Sequence, residues 1–215
     1  HLDVPLSDVG RQQSRRLARR FQIACRPDSS HPLLPHFGIK PLSIAAQFSS
    51  DLSRARETGQ IVRNEVPSLA RIPLLTTPLL RERNFGEWQG LEAEELRLRR
   101  REGGTEPPNG ETETQVFDRI HQALHDIASH LASAAESSTK NVLVYGHGGS
   151  LRALLCAALG LGAKDMRRFR LENTSLSVVE ISGFVRGGKI EIQSGRFVCL
   201  NETAHLLPND IFDRG

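Results

Sequence analysis

The segment NVLVYGHGG, residues Asn141 to Gly149, carries the clearest signal for the fold. Its first five residues are mostly apolar and rich in β-branched types, which is typical of a buried strand. The next run, Leu151 to Leu155, has apolar residues at helical spacing. His147 is therefore predicted on a strand-to-helix turn, at the strand end where open α/β sheets bind ligands. Flanking glycines let backbone N–H groups approach an anion, so the pattern favours a phosphate site, although a tight turn with an incidental histidine has the same local pattern.

Outside this stretch, strands and helices alternate along most of the chain. Strands are predicted from Ser43 to Phe48 and from Leu74 to Leu80, and helices from Ser7 to Ile23, from about Ser49 to Glu65, and from Glu111 to Ala135. This alternation predicts a three-layer α/β/α sandwich with a mainly parallel central sheet. The last segment is predicted to hold two or three strands, at Leu176–Ile181, Lys189–Gln193 and Phe197–Leu200, with a hairpin turn at Gly187-Gly188. The proline-rich residues 26–42 are predicted to form a surface loop.

Composition sets broad limits on the class of protein. The chain has 215 residues and 38% hydrophobic content, which is enough for one core and predicts one domain over 1–215. A net charge of +3 with 5% aromatic residues suits a small anionic substrate and argues against nucleic acid as a partner. No apolar run reaches transmembrane length, which argues against a membrane partner. The three scattered cysteines, Cys25, Cys156 and Cys199, predict a reducing compartment and hence a cytoplasmic protein.

Three segments place a polar residue just after a predicted strand. These residues are Arg54, Glu82 and His147, and the carboxyl ends of parallel strands meet at one edge of a sheet. A guanidinium suits phosphate oxygens, a carboxylate next to a bound phosphate can act as a general acid, and a histidine supplies a further donor. Taken singly, Arg54 has the alternative of an exposed helix arginine, and Glu82 that of an ion pair with Arg81 or Arg83. The three together favour a site for phosphoryl chemistry.

Two other patterns are assigned to the surface. His121 and His125 have the i, i+4 spacing of a metal pair, but no H-E-x-x-H type of ligand pattern accompanies them, so a solvated helix face is favoured. The basic run from Arg97 to Arg101 is likewise interpreted as a solvated face. We therefore predict neither a metal nor a cofactor.

Several segments, taken in order, resemble the phosphoglycerate mutase-like branch of the histidine phosphatase superfamily. The matching segments are Asp3–Gln13 against D-x-P-L-T/S-x-x-G-x-x-Q, Phe48–Thr58 against S-S-D-L-x-R-A-x-x-T, Leu80–Gly90 against L-x-E-x-x-F-G-x-W-E-G, Gly110–Thr112 against G-G-E-S, and Gly146–Gly149 with Arg152. They cover nearly the whole chain, and their combination is highly specific.

The resemblance implies a two-step phosphoryl transfer through a phosphohistidine. Glu82 would give a proton to the leaving oxygen and then take one from water. Arg54 and His147 would hold the transferring phosphoryl group. The backbone N–H of Gly148 and the side chain of Arg83 would contact the small phosphorylated substrate.

One departure concerns the nucleophile. The family's nucleophilic histidine belongs to an Arg-His-Gly motif on the central strand, just upstream of the segment that matches Asp3–Gln13, and no Arg-His-Gly occurs in this chain. We therefore expect that 1–215 lacks the domain's first strand and Arg-His-Gly loop, that the nucleophile lies upstream of residue 1, and that this chain alone is inactive.

Within the branch, the spacing of two motifs favours hydrolysis. Mutases carry a longer insert between the segments that match Leu80–Gly90 and Gly110–Thr112, and this insert excludes water from the phosphoenzyme. Here only residues 91–109 separate them, which predicts a phosphatase of small phosphate monoesters. A mutase-type phosphotransferase and a catalytically inactive phosphate-binding homologue are the alternatives.

Overall fold

Three short strands form a parallel sheet that organises the molecule. The computed structural model describes residues 1–25, 42–104, 106–132, 140–186 and 189–207. The strands are β1 (Ile44–Ser50), β2 (Leu74–Thr77) and β3 (Asn141–Tyr145), in the order β2-β1-β3. Both pairs are parallel, with Phe48 of β1 between Leu75 and Val144. The mainly parallel sheet confirms the predicted fold class, and it places the carboxyl ends of the three strands at one edge.

Within the described ranges, six α-helices flank the strands in sequence. They are α1 (Asp8–Ala24), α2 (Ser53–Glu65), α3 (Pro67–Ala70), α4 (Ala93–Gly103), α5 (Glu113–Ala132) and α6 (Gly148–Ala158). The helix α1 begins as predicted, because the Ser7 hydroxyl accepts a hydrogen bond from the Gly10 N–H at 3.1 Å. In α4, Arg97 and Arg99 of the basic run are exposed and pair with Glu94 and Glu95, so these two arginines lie on a solvated face.

Apolar clusters on both faces of the sheet make the three layers. Alternate residues of β3 serve opposite faces: Tyr145 belongs to one cluster, and Val144 packs against the other. The first cluster joins the sheet to α1, α2 and α3 through Leu17, Ala18, Phe21, Ile44, Val62, Val66 and Leu69. The second joins it to α5 and α6 through Ala46, Phe48, Val116, Ile120, Ala123, Ala153 and Cys156.

The last part of the chain forms a separate antiparallel pair, β4 (Leu176–Arg186) and β5 (Lys189–Glu202). Of the two or three strands predicted here, the structure forms two, because Lys189–Gln193 and Phe197–Leu200 both lie within β5. The pairing shifts register between Ser182 and Gly183 and then continues, because a bulge absorbs an extra residue without ending the strand. The predicted turn at Gly187-Gly188 and residues 26–41 of the predicted proline-rich loop lie outside the described residues.

Candidate active site

The three polar residues predicted at strand ends lie along one cleft. Arg54 is in the first turn of α2, just after β1, and His147 lies two residues after the end of β3. Glu82 follows β2 after a short 3₁₀ turn, Pro78–Leu80. All three line the same cleft, together with Gly148. The order β2-β1-β3 explains this convergence, because it makes the three strand ends immediate neighbours.

His147 is held firmly at the start of α6. Its backbone is extended and it is the N-cap residue of the helix. The imidazole Nε2 lies 2.9 Å from the Ser50 hydroxyl at the end of β1, and the His147 N–H donates to the Ser150 hydroxyl at 3.1 Å. Only 8% of the residue is exposed. The ring is therefore fixed between two strand ends, with one nitrogen engaged by a neutral hydroxyl.

The surroundings of His147 favour its neutral form. Burial, together with the positive charges of Arg54 and Arg119, lowers the pKa of His147 to about 4. Asp3 and Asp51 act in the opposite direction. His147 is thus uncharged at neutral pH. A phosphate dianion beside the ring would supply the negative charge that favours protonation.

Glu82 is positioned by backbone N–H groups. Its carboxylate oxygens lie 3.0 and 3.1 Å from the Gly149 nitrogen, in the first turn of α6, and one oxygen also accepts from the Arg83 N–H at 2.7 Å. The N–H groups of the glycine-rich turn were predicted to approach an anion. In the structure, the N-terminus of α6 binds the Glu82 carboxylate. Gly149 is needed here, because a Cβ atom at that position would lie 2.2 Å from the Glu82 Oε1.

Neither neighbouring arginine neutralises Glu82. Arg81 forms a two-pronged ion pair with Asp51, at 2.8 and 2.7 Å. Arg83 pairs with Glu106, and its Nε donates to the carbonyl of Glu111 at 2.7 Å. Glu82 therefore does not form the alternative ion pair with Arg81 or Arg83, since both arginines have other partners.

Arg83 itself is placed differently from the expectation of a substrate contact. Its side chain is only 7% exposed, and it is not among the described residues that line the cleft. Its guanidinium is occupied by Glu106, by the Glu111 carbonyl and, at 3.8 Å, by Glu113. Contact with a substrate would require these partners to move.

Arg54 is the cation at the end of the cleft that holds Glu82 and His147. It is partly exposed, and its Nη1 lies 3.5 Å from the Leu2 carbonyl, which is a weak contact. The start of α2 is fixed instead by Asp3, whose carboxylate accepts from the N–H and hydroxyl of Ser53 at 2.8 and 2.7 Å. The Arg54 guanidinium is thus available for an anion next to His147.

The cleft itself is large and mostly apolar beyond its polar rim. Its volume is 1620 Å³, and it lies between β3 and β4. Side chains from α1, α5 and α6 complete its walls, among them Leu17, Phe21, Leu124, Ile127, Leu151 and Leu154. Within the described ranges, neither the β3 edge away from β1 nor the β4 edge away from β5 pairs with another strand.

The chain matches the family model of the histidine phosphatase superfamily (branch 1) over residues 36–187. The chain belongs to this superfamily. It is 32% identical over 191 residues to phosphoglycerate mutase-like protein 4 of Arabidopsis thaliana, with 84% of this chain and 70% of the relative covered. It is also 30% identical over 215 residues to the Yersinia pestis protein named "Probable phosphoglycerate mutase GpmB", with 95% and 84% covered.

Solved structures of histidine phosphatases share the fold. The mycobacterial glucosyl-3-phosphoglycerate phosphatase superimposes with a TM-score of 0.67 at 24% identity, covering 94% of this chain and 90% of that one. The α-ribazole phosphatase from Shigella flexneri gives a TM-score of 0.63 at 20% identity, with 95% and 87% covered. The family and the site together support a phosphoryl-transfer enzyme.

The structure also bears on other features that the sequence predicted. His121 is exposed as predicted, but the His125 side chain is only 23% exposed, so the predicted solvated face holds for the first histidine and not for the second. The described residues contain no group of three His, Cys, Asp or Glu side chains that could hold a metal ion. All three cysteines are free thiols. Within the described ranges, no helix combines the length and hydropathy needed to span a bilayer.

Two polar groups near the site were missed by sequence reasoning. Ser50 belongs to a matched motif, yet only the pairing of β1 with β3 reveals that it contacts His147. Arg119 forms hydrogen bonds to the segment that carries Glu82. The sequence spacing could have indicated that Arg119 contacts Glu111, since Arg119 lies eight residues, or about two helical turns, after Glu111 of the fourth motif.

Proposed function

We propose that this protein hydrolyses a small phosphate monoester through a phosphohistidine, with the nucleophilic histidine upstream of His1. The observation that carries the proposal is the placement of Glu82. Its carboxyl group lies on the first turn of α6, the helix that directly follows His147. Neither Arg81 nor Arg83 forms an ion pair with it, since both arginines pair with other carboxylates. A carboxyl group in that position can serve as a proton donor at a phosphate site.

In the proposed reaction, the upstream histidine nitrogen attacks phosphorus and the bond from phosphorus to the ester oxygen breaks. Glu82 in its acid form gives its proton to the leaving oxygen. Water then attacks the phosphohistidine, Glu82 takes the water proton, and the P–N bond breaks to release inorganic phosphate. Arg54 and His147 stabilise the charge on the equatorial oxygens in both steps, and the Gly148 N–H adds a further donor.

The cleft between β3 and β4 supports an upstream strand. Its 1620 Å³ exceed the roughly 300–1,000 Å³ of ordinary small-molecule pockets, and two strand edges face it. An extended apolar segment would satisfy both edges and cover the leucine-rich walls. A strand that runs parallel to β3 would end at the same sheet edge as His147, so a histidine following it would face Arg54 and Glu82.

Hydrolysis is proposed over mutase action because little chain is available to cap the site. Between Gly90 and Gly110 the described residues form α4 and a short connection, and α4 carries exposed arginines paired within the helix. A mutase has to protect its phosphoenzyme from water. We also propose a cytoplasmic location, for which the three free thiols are the support.

The proposal is tested by kinetics of the complete natural protein on p-nitrophenyl phosphate. We expect Arg54→Ala and His147→Ala each to lower kcat/KM by about 10²-fold or more, because each removes a preorganised contact to the transferring group. Arg56→Ala is the matched control, since Arg56 is an exposed arginine of the same helix, and its activity should stay within about threefold of wild type.

The same assay separates the alternatives. Wild-type-like kcat in both site variants would reject the assignment of Arg54 and His147. Transfer of the phosphoryl group between positions of a phosphoglycerate without release of inorganic phosphate would identify a mutase. Phosphate binding that is weakened by Arg54→Ala, together with no turnover of any monoester, would identify an inactive phosphate-binding homologue.

A further inference from the structure

Arg119 reaches from α5 to the main chain that carries Glu82. Its side chain is only 16% exposed. Its Nη1 donates to the carbonyls of Leu79 at 2.6 Å and Arg81 at 3.0 Å, and its Nη2 lies 3.4 Å from the Glu82 carbonyl. The segment after the 3₁₀ turn is irregular, so its carbonyls lack the partners that a helix or sheet would provide. One guanidinium, with five N–H donors, supplies several of them.

Glu111 completes this arrangement from the other side. Its carboxylate binds Arg119 in a two-pronged pair, at 2.8 and 2.9 Å. One of its oxygens also accepts from the Asn84 N–H at 2.7 Å, while the Glu111 N–H donates to the Asn84 carbonyl at 2.8 Å. The pair therefore fixes the main chain on both sides of Glu82, from Leu79 to Asn84. The ion pair also balances the charge of a largely buried guanidinium.

The location of the Glu82 carboxyl group depends directly on this main chain. Among the described residues, the hydrogen bonds of its carboxylate go to the backbone N–H groups of Gly149 and Arg83. Because Glu82 belongs to the segment from Leu79 to Asn84 while Gly149 lies on α6, a shift of that segment would move the carboxyl group away from the Gly149 N–H. Misplacing a reacting group by about 1 Å can cost about 10²-fold in rate.

We propose that Arg119 and Glu111 are positioning residues for Glu82. They hold the segment from Leu79 to Asn84 so that the Glu82 carboxyl group stays on the Gly149 N–H, at the place where the leaving oxygen needs its proton. Neither Arg119 nor Glu111 is among the described residues that line the cleft, so they act through Glu82. This inference rests on the proposed function of Glu82 as the proton donor.

The test uses the complete protein and a series of aryl phosphates whose leaving groups differ in basicity. Only a poor leaving group needs the proton. We expect Arg119→Met to lower kcat by about 10- to 100-fold for phenyl phosphate and by less than about threefold for 2,4-dinitrophenyl phosphate, with KM unchanged. Arg119→Lys should show an intermediate loss, because an ammonium group cannot span the same carbonyls. In a Glu82→Gln background, Arg119→Met should cause little further loss.

Arg63→Met is the matched control. Arg63 also donates to main-chain carbonyls, those of Ile72 and Ala70 at 2.8 and 2.7 Å, but it does not line the cleft. Its loss should leave the leaving-group dependence unchanged. If Arg119→Met fails to fold, as judged by thermal unfolding, the lysine variant and Glu111→Gln decide the question by the same series.

The outcomes separate the two proposals. If Glu82→Gln shows the selective loss on poor leaving groups but the folded Arg119 variants do not, the positioning role is wrong and the proposed function stands. If Glu82→Gln loses activity uniformly, the proposed role of Glu82 fails. The amide resonance of Gly149 then tests the positioning by itself: Arg119→Met should move it toward its position in Glu82→Gln, and an unmoved resonance would overturn the inference.

Discussion

Acidification should destabilise this protein through His147. The residue is 8% exposed and lies near the cations Arg54 and Arg119, which together with burial lower its pKa to about 4 from an ordinary 6.5. Between pH 6.5 and about pH 4, His147 is protonated in the unfolded chain but stays neutral in the folded chain. The stability that neutral His147 allows is therefore complete above pH 6.5, and it is progressively lost as the pH falls toward 4.

The size of the effect follows from the two pKa values. The gap between 6.5 and about 4 corresponds to about 3 kcal/mol in total, of which about 2 kcal/mol is lost between pH 7 and pH 5. This is a large part of the roughly 5–15 kcal/mol by which a domain is stable.

Urea unfolding at pH 7 and pH 5 measures this loss. We compare wild type with His147→Gln, which does not titrate and can still form a hydrogen bond to Ser50. Wild type should lose about 2 kcal/mol more than the variant. His121→Gln, at an exposed histidine of α5, is the control and should lose as much as wild type. Equal losses in wild type and His147→Gln would show that His147 does not cause the pH dependence.

Two further predictions concern the same site. Gly149→Ala would place a Cβ atom 2.2 Å from the Glu82 Oε1, so it should displace the carboxylate and lower kcat about 10-fold or more for phenyl phosphate. Gly162→Ala is the control, because its nearest contact would be at 4.0 Å and its kcat should not change. Equal kcat values for the two variants would contradict this prediction. Activity should survive EDTA, because the proposed reaction stabilises the phosphoryl group with Arg54 and His147 and no step uses a metal ion. Activity abolished by EDTA and restored by a divalent cation would contradict this.

The strand-to-helix turn at His147 was predictable because its signals are local. A run of β-branched residues, a glycine-rich turn and a helical apolar pattern follow one another within Asn141–Leu155. The meeting of Arg54, Glu82 and His147 followed from one rule of parallel sheets, which needs only the positions of three strand ends.

The partners of the site's arginines were not predictable from the sequence. Arg81 pairs with Asp51, 30 residues earlier, and Arg83 pairs with Glu106, 23 residues later. Many carboxylates are equally plausible in the sequence, and only the packed fold selects one. The same holds for β4 and β5, where a bulge keeps two strands paired beyond Gln193 while the sequence pattern suggests a break.

The proposed mechanism requires that the phosphoryl group passes through a histidine upstream of His1. The decisive measurement is to quench the complete protein during turnover of an aryl phosphate, under alkaline conditions that preserve phosphohistidine, and to locate the phosphate by peptide mass spectrometry. We expect phosphate on a histidine N-terminal to His1. Phosphate on His147, or turnover without any phosphoenzyme, would contradict the mechanism.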